Sequence, residues 1–501
     1  MENVGIGNLF LGFTDGSAEA RNDKFQELFY DPNNKYDELM SGNEKFIVIG
    51  SKGTGKTYLA NYVVSKAKKN EHFSIINASE FQLCKLIAMN QNEVDEEMLT
   101  ALCKWFWLDS LAHVIIDCHN KFWEKCRISK VGKLRRFIQM YENDGEFKIV
   151  REVISSSKEK EKNQSLKTEN KKDKKNSGVF SRKVIRGNTV TKEAERKQFF
   201  ELIPIFEKMV NEAIKEGEKY SVILDDLDEI QVRDQKNGNI IISLIKAAKE
   251  YNLNISDNKY KFILLVRNDI LDELQFNNAN LSKIKTSCSV ELYWLYDSMV
   301  EGWNHPLMKM ILHKVRASCD AYKEYSNKKL YNELFPEKID NKEPLDFLLD
   351  NGFGRPRDFV NFLTHAQKQF PDQQFFSAVC LRETRKPFSA DFYDELVNQS
   401  AYYGKPEYVK QCLHLISAVK KPSFTYNEVE TLYNQNKIRY DKIENLDMAL
   451  SFLYKLGAIG NVWKARKEIH TSWAYKKEAM NDVDLDKKFT IHYGLRKKFS
   501  L

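Results

Sequence analysis

The stretch Ile47-Val48-Ile49-Gly50-Ser51-Lys52-Gly53-Thr54-Gly55-Lys56-Thr57 decides the fold of this 501-residue chain. Lys45 to Ile49 is short, apolar and β-branched, which predicts a buried strand, and Leu59, Val63 and Ala67 recur at helical spacing behind Thr57. Between strand and helix lies a glycine-rich loop of the P-loop pattern. Such a loop lets the backbone N–H groups of Gly50, Ser51, Lys52, Gly53, Thr54 and Gly55 converge on phosphate oxygens. Lys56 then reaches the β/γ-phosphates, and the Thr57 hydroxyl completes the shell of a magnesium ion. ATP and Mg2+ are therefore the expected cofactors.

Working outward, Tyr220-Ser221-Val222-Ile223-Leu224 is a second apolar run, and it ends in Asp225-Asp226-Leu227-Asp228-Glu229. A strand that delivers carboxylates at its C-terminal end, downstream of a P-loop, reads as a Walker B element. Asp225 is the expected magnesium ligand and Asp226 the group that orients and deprotonates the attacking water. Asp228 and Glu229 read better as caps of the following helix. Lys261 to Val266 is a third buried run, ending in Arg267, which would point toward the phosphates because ligands lie beyond the carboxyl ends of parallel strands. Ser289 to Tyr293 can supply another strand. The alternation of strand and helix implies an α/β fold with an open parallel sheet. Lys56, Asp226 and Arg267 form the expected catalytic set.

About 170 residues separate the P-loop from Asp225. Phe81 to Arg127 carries apolar residues at helical spacing, and Phe199, Leu202, Ile203, Phe206, Met209, Val210, Ala213 and Ile214 form a stripe that Pro204 can kink. Between them, 155–177 is rich in Ser, Lys, Glu and Asn and too polar to bury anything, so it reads as a disordered loop: a solvated insertion or a basic arm for nucleic acid or a partner. The whole of 80–217 is expected to be a helical insertion bulging from one face of the sheet.

Gly50 to Thr57, Val222 to Asp226 and the strand ending in Arg267 together resemble the P-loop ATPases of the additional-strand division, most closely the AAA+ and STAND groups. Asn351-Gly352-Phe353-Gly354-Arg355-Pro356-Arg357-Asp358-Phe359 is similar to the lid signature of the origin-recognition (Orc-like) and STAND ATPases. That resemblance implies sensor 1 at Arg267, Pro356 near the adenine, and sensor 2 at Arg355 or Arg357. Without it, the segment is an ordinary Gly-Pro helix start with surface arginines. The resemblance runs from Asn8 to Leu363 with the insertion unmatched. It departs over Asn268 to Ser289, where Lys283 and Lys285 are the only basic residues, so a neighbouring subunit's arginine finger has no counterpart there.

From Lys405 onward three helical stripes (Val409 to Ile416, Val429 to Tyr433, Leu446 to Leu456) precede two strands, Ile459 to Trp463 and Ile469 to Tyr475. This order resembles a winged-helix domain, which follows the lid in origin-recognition ATPases. Its wing tip, Lys464, Arg466 and Lys467, suits a nucleic-acid backbone, whereas Glu444 and Asp447 at the start of the third helix repel one. DNA contact and a purely packing or regulatory role both stay open. Phe489 to Leu495 alternates like a strand. The expected segments are a core of 1–79 and 218–295, the insertion 80–217, a helical lid 296–400 and the winged-helix-like 401–501.

Composition narrows the class further. Lys and Arg number 78 against 71 Asp and Glu, a net +7 that argues weakly for nucleic acid. No stretch reaches the roughly 20 apolar residues of a membrane span, and the N-terminus lacks the features of a secretory signal, so a cytoplasmic place with no membrane contact is expected. Eight cysteines without a Cys-x-x-Cys pair read as buried free thiols. Two functions follow from the resemblance: an ATPase switch of bacterial defence or signalling with its effector on another chain, or a DNA-binding ATPase that loads or remodels partners on duplex DNA. A homo-oligomer is compatible with either, and a nucleotide-binding scaffold with negligible turnover is the third possibility.

Overall fold

The computed structural model describes residues 4–78, 96–119, 128–143, 190–227, 235–254, 259–277, 279–295, 301–401, 406–466, 468–477 and 482–501. The segment 155–177, Asp228, Glu229, Lys467, Cys84 and Cys126 lie outside the described residues. The chain forms two compact units: Met1–Asn33, Ser51–Tyr62 and Leu292–Leu501 make one, and Asn34–Gly50 and Val63–Glu291 make the other. This division cuts across the expected segments, since 51–62 groups with the C-terminal half.

The second unit holds a five-stranded parallel sheet of β1 (Ile47–Ile49), β2 (Glu71–Asn77), β3 (Lys219–Asp225), β4 (Tyr260–Val266) and β5 (Ser289–Glu291), in the order β2-β3-β4-β1-β5. β4 therefore stands between the strand that leads into the P-loop and the strand that ends in Asp225, the additional strand that the resemblance implies. Val222, Ile223, Leu224 and Phe262 to Val266 are buried on both faces, which is why these strands read as unbroken apolar runs. β2 is the strand that sequence reading did not name.

The insertion does more than bulge. Its helix Glu96–Cys118 packs on β2 and β3 and along the helix Gln235–Leu253, with Trp107 fully buried and its Nε1–H donated to the Leu244 carbonyl at 3.1 Å. A helix apolar nearly all round must be covered on more than one side, and the sheet and the neighbouring helix cover it. Among the described residues it is also the one helix long and apolar enough to cross a membrane, and 72% of that stretch is buried. Val190–Ala213 carries Pro204 within it, and its Phe206 meets Trp105 and Phe137 at 4.8 and 5.0 Å between ring centroids.

The first unit has one contiguous apolar core that joins the lid-like helices Pro306–Ser318, Asn327–Leu334, Pro344–Asn351, Pro356–Gln369 and Ala378–Ala401 to the C-terminal module. That module runs helix Pro406–Ala418, β6 (Ser423–Phe424), helix Tyr426–Gln435, helix Leu446–Lys455, then the hairpin β7 (Ile459–Ala465) and β8 (Glu468–Ser472), and β9 (Lys488–Ile491). The four strands form an antiparallel sheet in the order β6-β9-β7-β8. The tail is a strand only to Ile491. His492 then accepts the Gly494 N–H on Nδ1 at 3.1 Å and opens a short helix, Tyr493–Arg496. Cys103, Cys288, Cys380 and Cys412 are buried free thiols, Cys319 is half-buried, and Cys118, at a helix end, is exposed rather than buried.

Candidate functional site

At the end of β1 the Gly50 N–H bonds the Val266 carbonyl at 3.3 Å, and the chain then leaves the sheet. The loop that follows turns on two glycines in the left-handed region, Gly53 at φ +86° and Gly55 at φ +97°, and becomes helical at Lys56 (Lys56–Ser65). An L-side chain resists that conformation, which is the physical reason for glycine at both places. Ser51 organises the loop from within: its carbonyl accepts the Thr54 N–H at 3.3 Å, the Thr54 Oγ1–H at 2.9 Å and the Lys56 ammonium at 3.2 Å. Helix-start N–H groups, a lysine and the Thr57 hydroxyl make a donor and ligand set that fits a nucleoside triphosphate and its magnesium.

Three further groups of the same unit hold the loop by its carbonyls. The Arg355 Nη1–H donates to the Lys52 carbonyl at 2.8 Å, the Arg357 backbone N–H to Gly53 at 3.3 Å, and the Trp294 Nε1–H to Thr54 at 3.0 Å. Arg355 is 5% exposed. Its Nε and Nη2 bind the Asp358 carboxylate at 2.6 to 3.2 Å, and Nη2 lies 3.1 Å from Glu395. Burial opposes its charge, but Asp358 and Glu395 more than offset that, so its pKa is raised. Pro356 occupies the first position of the helix Pro356–Gln369, as the reading of that turn expects. Asp358 accepts the Phe353 N–H at 2.7 Å and the Arg355 N–H at 3.2 Å, fixing the helix start. Arg357 is half-buried, its Nε–H on the Thr14 carbonyl at 3.2 Å and its Nη1 4.0 Å from Glu395.

In the other unit, Asp225 is buried at the end of β3, with its Oδ1 accepting the Asp226 N–H at 2.8 Å. Asp226 is exposed with φ +55°, an uncommon conformation for a non-glycine residue and one that Asp tolerates better than most. Arg267 is buried at the end of β4 and bound by Nε and Nη2 to Asp269 at 2.9 and 2.5 Å. Next to it, the Oδ1 of Asn268 is buried without a hydrogen-bond partner among the described residues. Sequence reading missed Trp294 and Glu395, which belong to no motif, and gave no role to Asp358 although it stands inside the lid signature. In the C-terminal hairpin, Lys464 and Arg466 are exposed, and Arg466 turns the chain with φ +55°.

Residues 305–397 match the family described as the FunZ-associated C-terminal helical domain. No curated protein matches the chain. Among solved structures, the chain is similar to a Walker-type ATPase of Pyrococcus abyssi, at 11% identity over 97% of this chain and 95% of that one, with a TM-score of 0.35. It is also similar to the ORC2 protein of Aeropyrum pernix in ADPNP and ADP complexes, at 10% identity over 96% of this chain and 99% of that one, with a TM-score of 0.26.

Proposed function

We propose that the chain binds and hydrolyses ATP and works as a molecular switch, the ATPase component of a bacterial defence or signalling system whose effector is a separate chain. The observation that carries this reading is the P-loop held by its Lys52 and Gly53 carbonyls from the start of the lid-like helix Pro356–Gln369, so that a change at the phosphates is a change at the lid. Lys56 binds the triphosphate, Thr57 and Asp225 hold magnesium, Asp226 orients and deprotonates the attacking water, and Arg267 stands as sensor 1. Pro356 packs near the adenine, and Arg357, half-buried beside the loop, is the better candidate for sensing the γ-phosphate. Magnesium, when bound, neutralises charge on the phosphate oxygens. The match to a FunZ-associated domain supports a component of a larger system.

Lys56→Ala should abolish ATP binding in a fluorescent-nucleotide titration, and unchanged affinity refutes the assignment. Asp226→Asn should keep ATP bound while slowing turnover, and a wild-type rate moves the base elsewhere. A second reading, a winged helix on duplex DNA, is favoured by the exposed Lys464 and Arg466. Replacing both by Ala should flatten the salt dependence of duplex binding by about one unit of slope for each cation removed from a phosphate. Absence of salt-sensitive binding by the wild-type protein removes that reading.

A further inference from the structure

A trans peptide is planar, so its C=O and the next residue's N–H point in opposite directions, and fixing one aims the other. The three clamped carbonyls are consecutive. Holding Lys52 C=O on Arg355 turns the Gly53 N–H away from the clamp, and holding Thr54 C=O on Trp294 does the same for Gly55. The peptide between them, clamped at Gly53 C=O by the Arg357 N–H, sends its Thr54 N–H inward to Ser51. Gly53 and Gly55 donate to no group among the described residues. They are thus two donors aimed by others and left for a ligand, in a loop where left-handed glycines permit the required turn.

We infer that Trp294 and Arg355 are positioning residues for the β-phosphate of a nucleoside di- or triphosphate, acting through the Thr54 and Lys52 carbonyls and without touching the nucleotide. This rests on the reading of the P-loop as a nucleotide site. The guanidinium of Arg355 is engaged by the protein at all three nitrogens, with four of its five N–H groups facing acceptors: Nε and Nη2 are on Asp358, Nη2 also faces Glu395, and Nη1 is on Lys52. Trp294 is buried and its ring carries one donor, which is spent on Thr54. Both residues therefore set the donors from behind and govern affinity for the β-phosphate that di- and triphosphates share, while sensing of the γ-phosphate is left to Arg357.

The test uses the full chain with Trp294→Phe, which removes the indole donor together with some ring volume, and Arg355→Lys, which keeps the charge. Affinities for ADP, the non-hydrolysable analogue AMPPNP and AMP are read by competition against a fluorescent nucleotide, with melting and near-UV circular dichroism to verify folding. ADP and AMPPNP should each weaken by about tenfold, the worth of one net hydrogen bond, while AMP, which lacks the β-phosphate, binds as in wild type. Weakening of AMPPNP alone overturns the inference in favour of a γ-phosphate contact. Equal weakening of all three, or of none, overturns it as well. Should Arg355→Lys fail to fold, Trp294→Phe decides alone. Lys56→Ala separates the two levels: if it binds AMPPNP as wild type does, the nucleotide site itself is wrong, whereas its loss beside an unaffected Trp294→Phe refutes only the clamp.

Discussion

Glu19→Ala should destabilise the unit that carries the P-loop, by an amount that pH sets. Glu19 is 2% exposed, as is Lys314, and the two form a buried ion pair. Glu19 also accepts the Phe13 N–H at 2.9 Å and the Tyr58 hydroxyl at 2.7 Å, and Tyr58 follows Thr57 directly in the P-loop helix. Burial lowers the Lys314 pKa and Glu19 opposes that effect. Removing the carboxylate leaves a buried ammonium whose penalty cannot exceed the cost of deprotonating it. That ceiling is about 4.6 kcal/mol at pH 7, at 1.36 kcal/mol per unit below an ordinary 10.4, and about 1.9 kcal/mol at pH 9. The lower part of the range for a broken buried pair, about 3 to 5 kcal/mol, fits under it at pH 7. Native-state hydrogen exchange over 306–318 and 56–62 reads the regional stability, where 4 kcal/mol corresponds to about a thousandfold loss of protection. The double variant Glu19→Gln with Lys314→Met, which keeps the acceptor for Phe13 and Tyr58, should return to within about 1 kcal/mol of wild type. A deficit below about 1 kcal/mol, or one unchanged between pH 7 and pH 9, refutes the argument.

Three other outcomes follow from single groups. His305 and His492 are both 1% exposed, and burial lowers their pKa to about 4 and about 3. Unfolding raises both toward 6.5, so the unfolded chain binds the extra protons: their contribution to stability should be level above pH 6.5 and fall by up to about 2.7 kcal/mol per pH unit between 6.5 and 4. His492→Asn should halve that slope in urea titrations, and an unchanged slope would remove His492 from the account. Gly53→Ala should harm the loop more than Gly55→Ala, because a Cβ at 53 meets the Arg357 Cβ at 3.0 Å while one at 55 has only the Tyr58 Cβ at 3.8 Å; both carry the left-handed strain of about 1 to 2 kcal/mol. Equal melting temperatures for the two would count against the Arg357 contact. Lys261, buried with its ammonium on the Leu39 and Gly42 carbonyls, has its pKa lowered to about 8 by burial, so it should add a rise of stability between pH 8 and 10.5, and Lys261→Met should make that rise smaller.

Sequence reading found what continuous burial writes into sequence. β1, β3 and β4 are covered on both faces and appear as apolar runs, and Asp225 and Arg267 at their ends could be placed at the carboxyl edge of the sheet. β2 is an edge strand whose residues are half-buried, so Glu71, His72 and Ser74 interrupt its apolar residues and no run stands out. The clamp on the P-loop was illegible for a different reason. Its acceptors are backbone carbonyls, which leave no trace in side-chain identity, and its donors sit at 294, 355 and 357, about 240 to 300 residues away.

The Arg355-Pro356-Arg357 triplet shows how far local stereochemistry can sharpen a motif. Both arginines fit a lid that senses phosphate, and the motif by itself does not separate them. A residue before proline is driven out of the helical region, and Arg355 has φ −115° and ψ 154°, one step outside the helix that Pro356 begins. That extended step sets its side chain among the cap groups, where Asp358 at the third helical position meets both its N–H and its guanidinium. Arg357 stands one residue past the proline with helical geometry, and its own N–H, one of the donors that a helix start leaves unpaired, goes to the Gly53 carbonyl. The proline therefore sorts two chemically identical residues into an internal brace and a half-buried cation. It follows that exchanging their fates needs a shift of the helix start by two residues, which the bonds to Lys52 and Gly53 both resist.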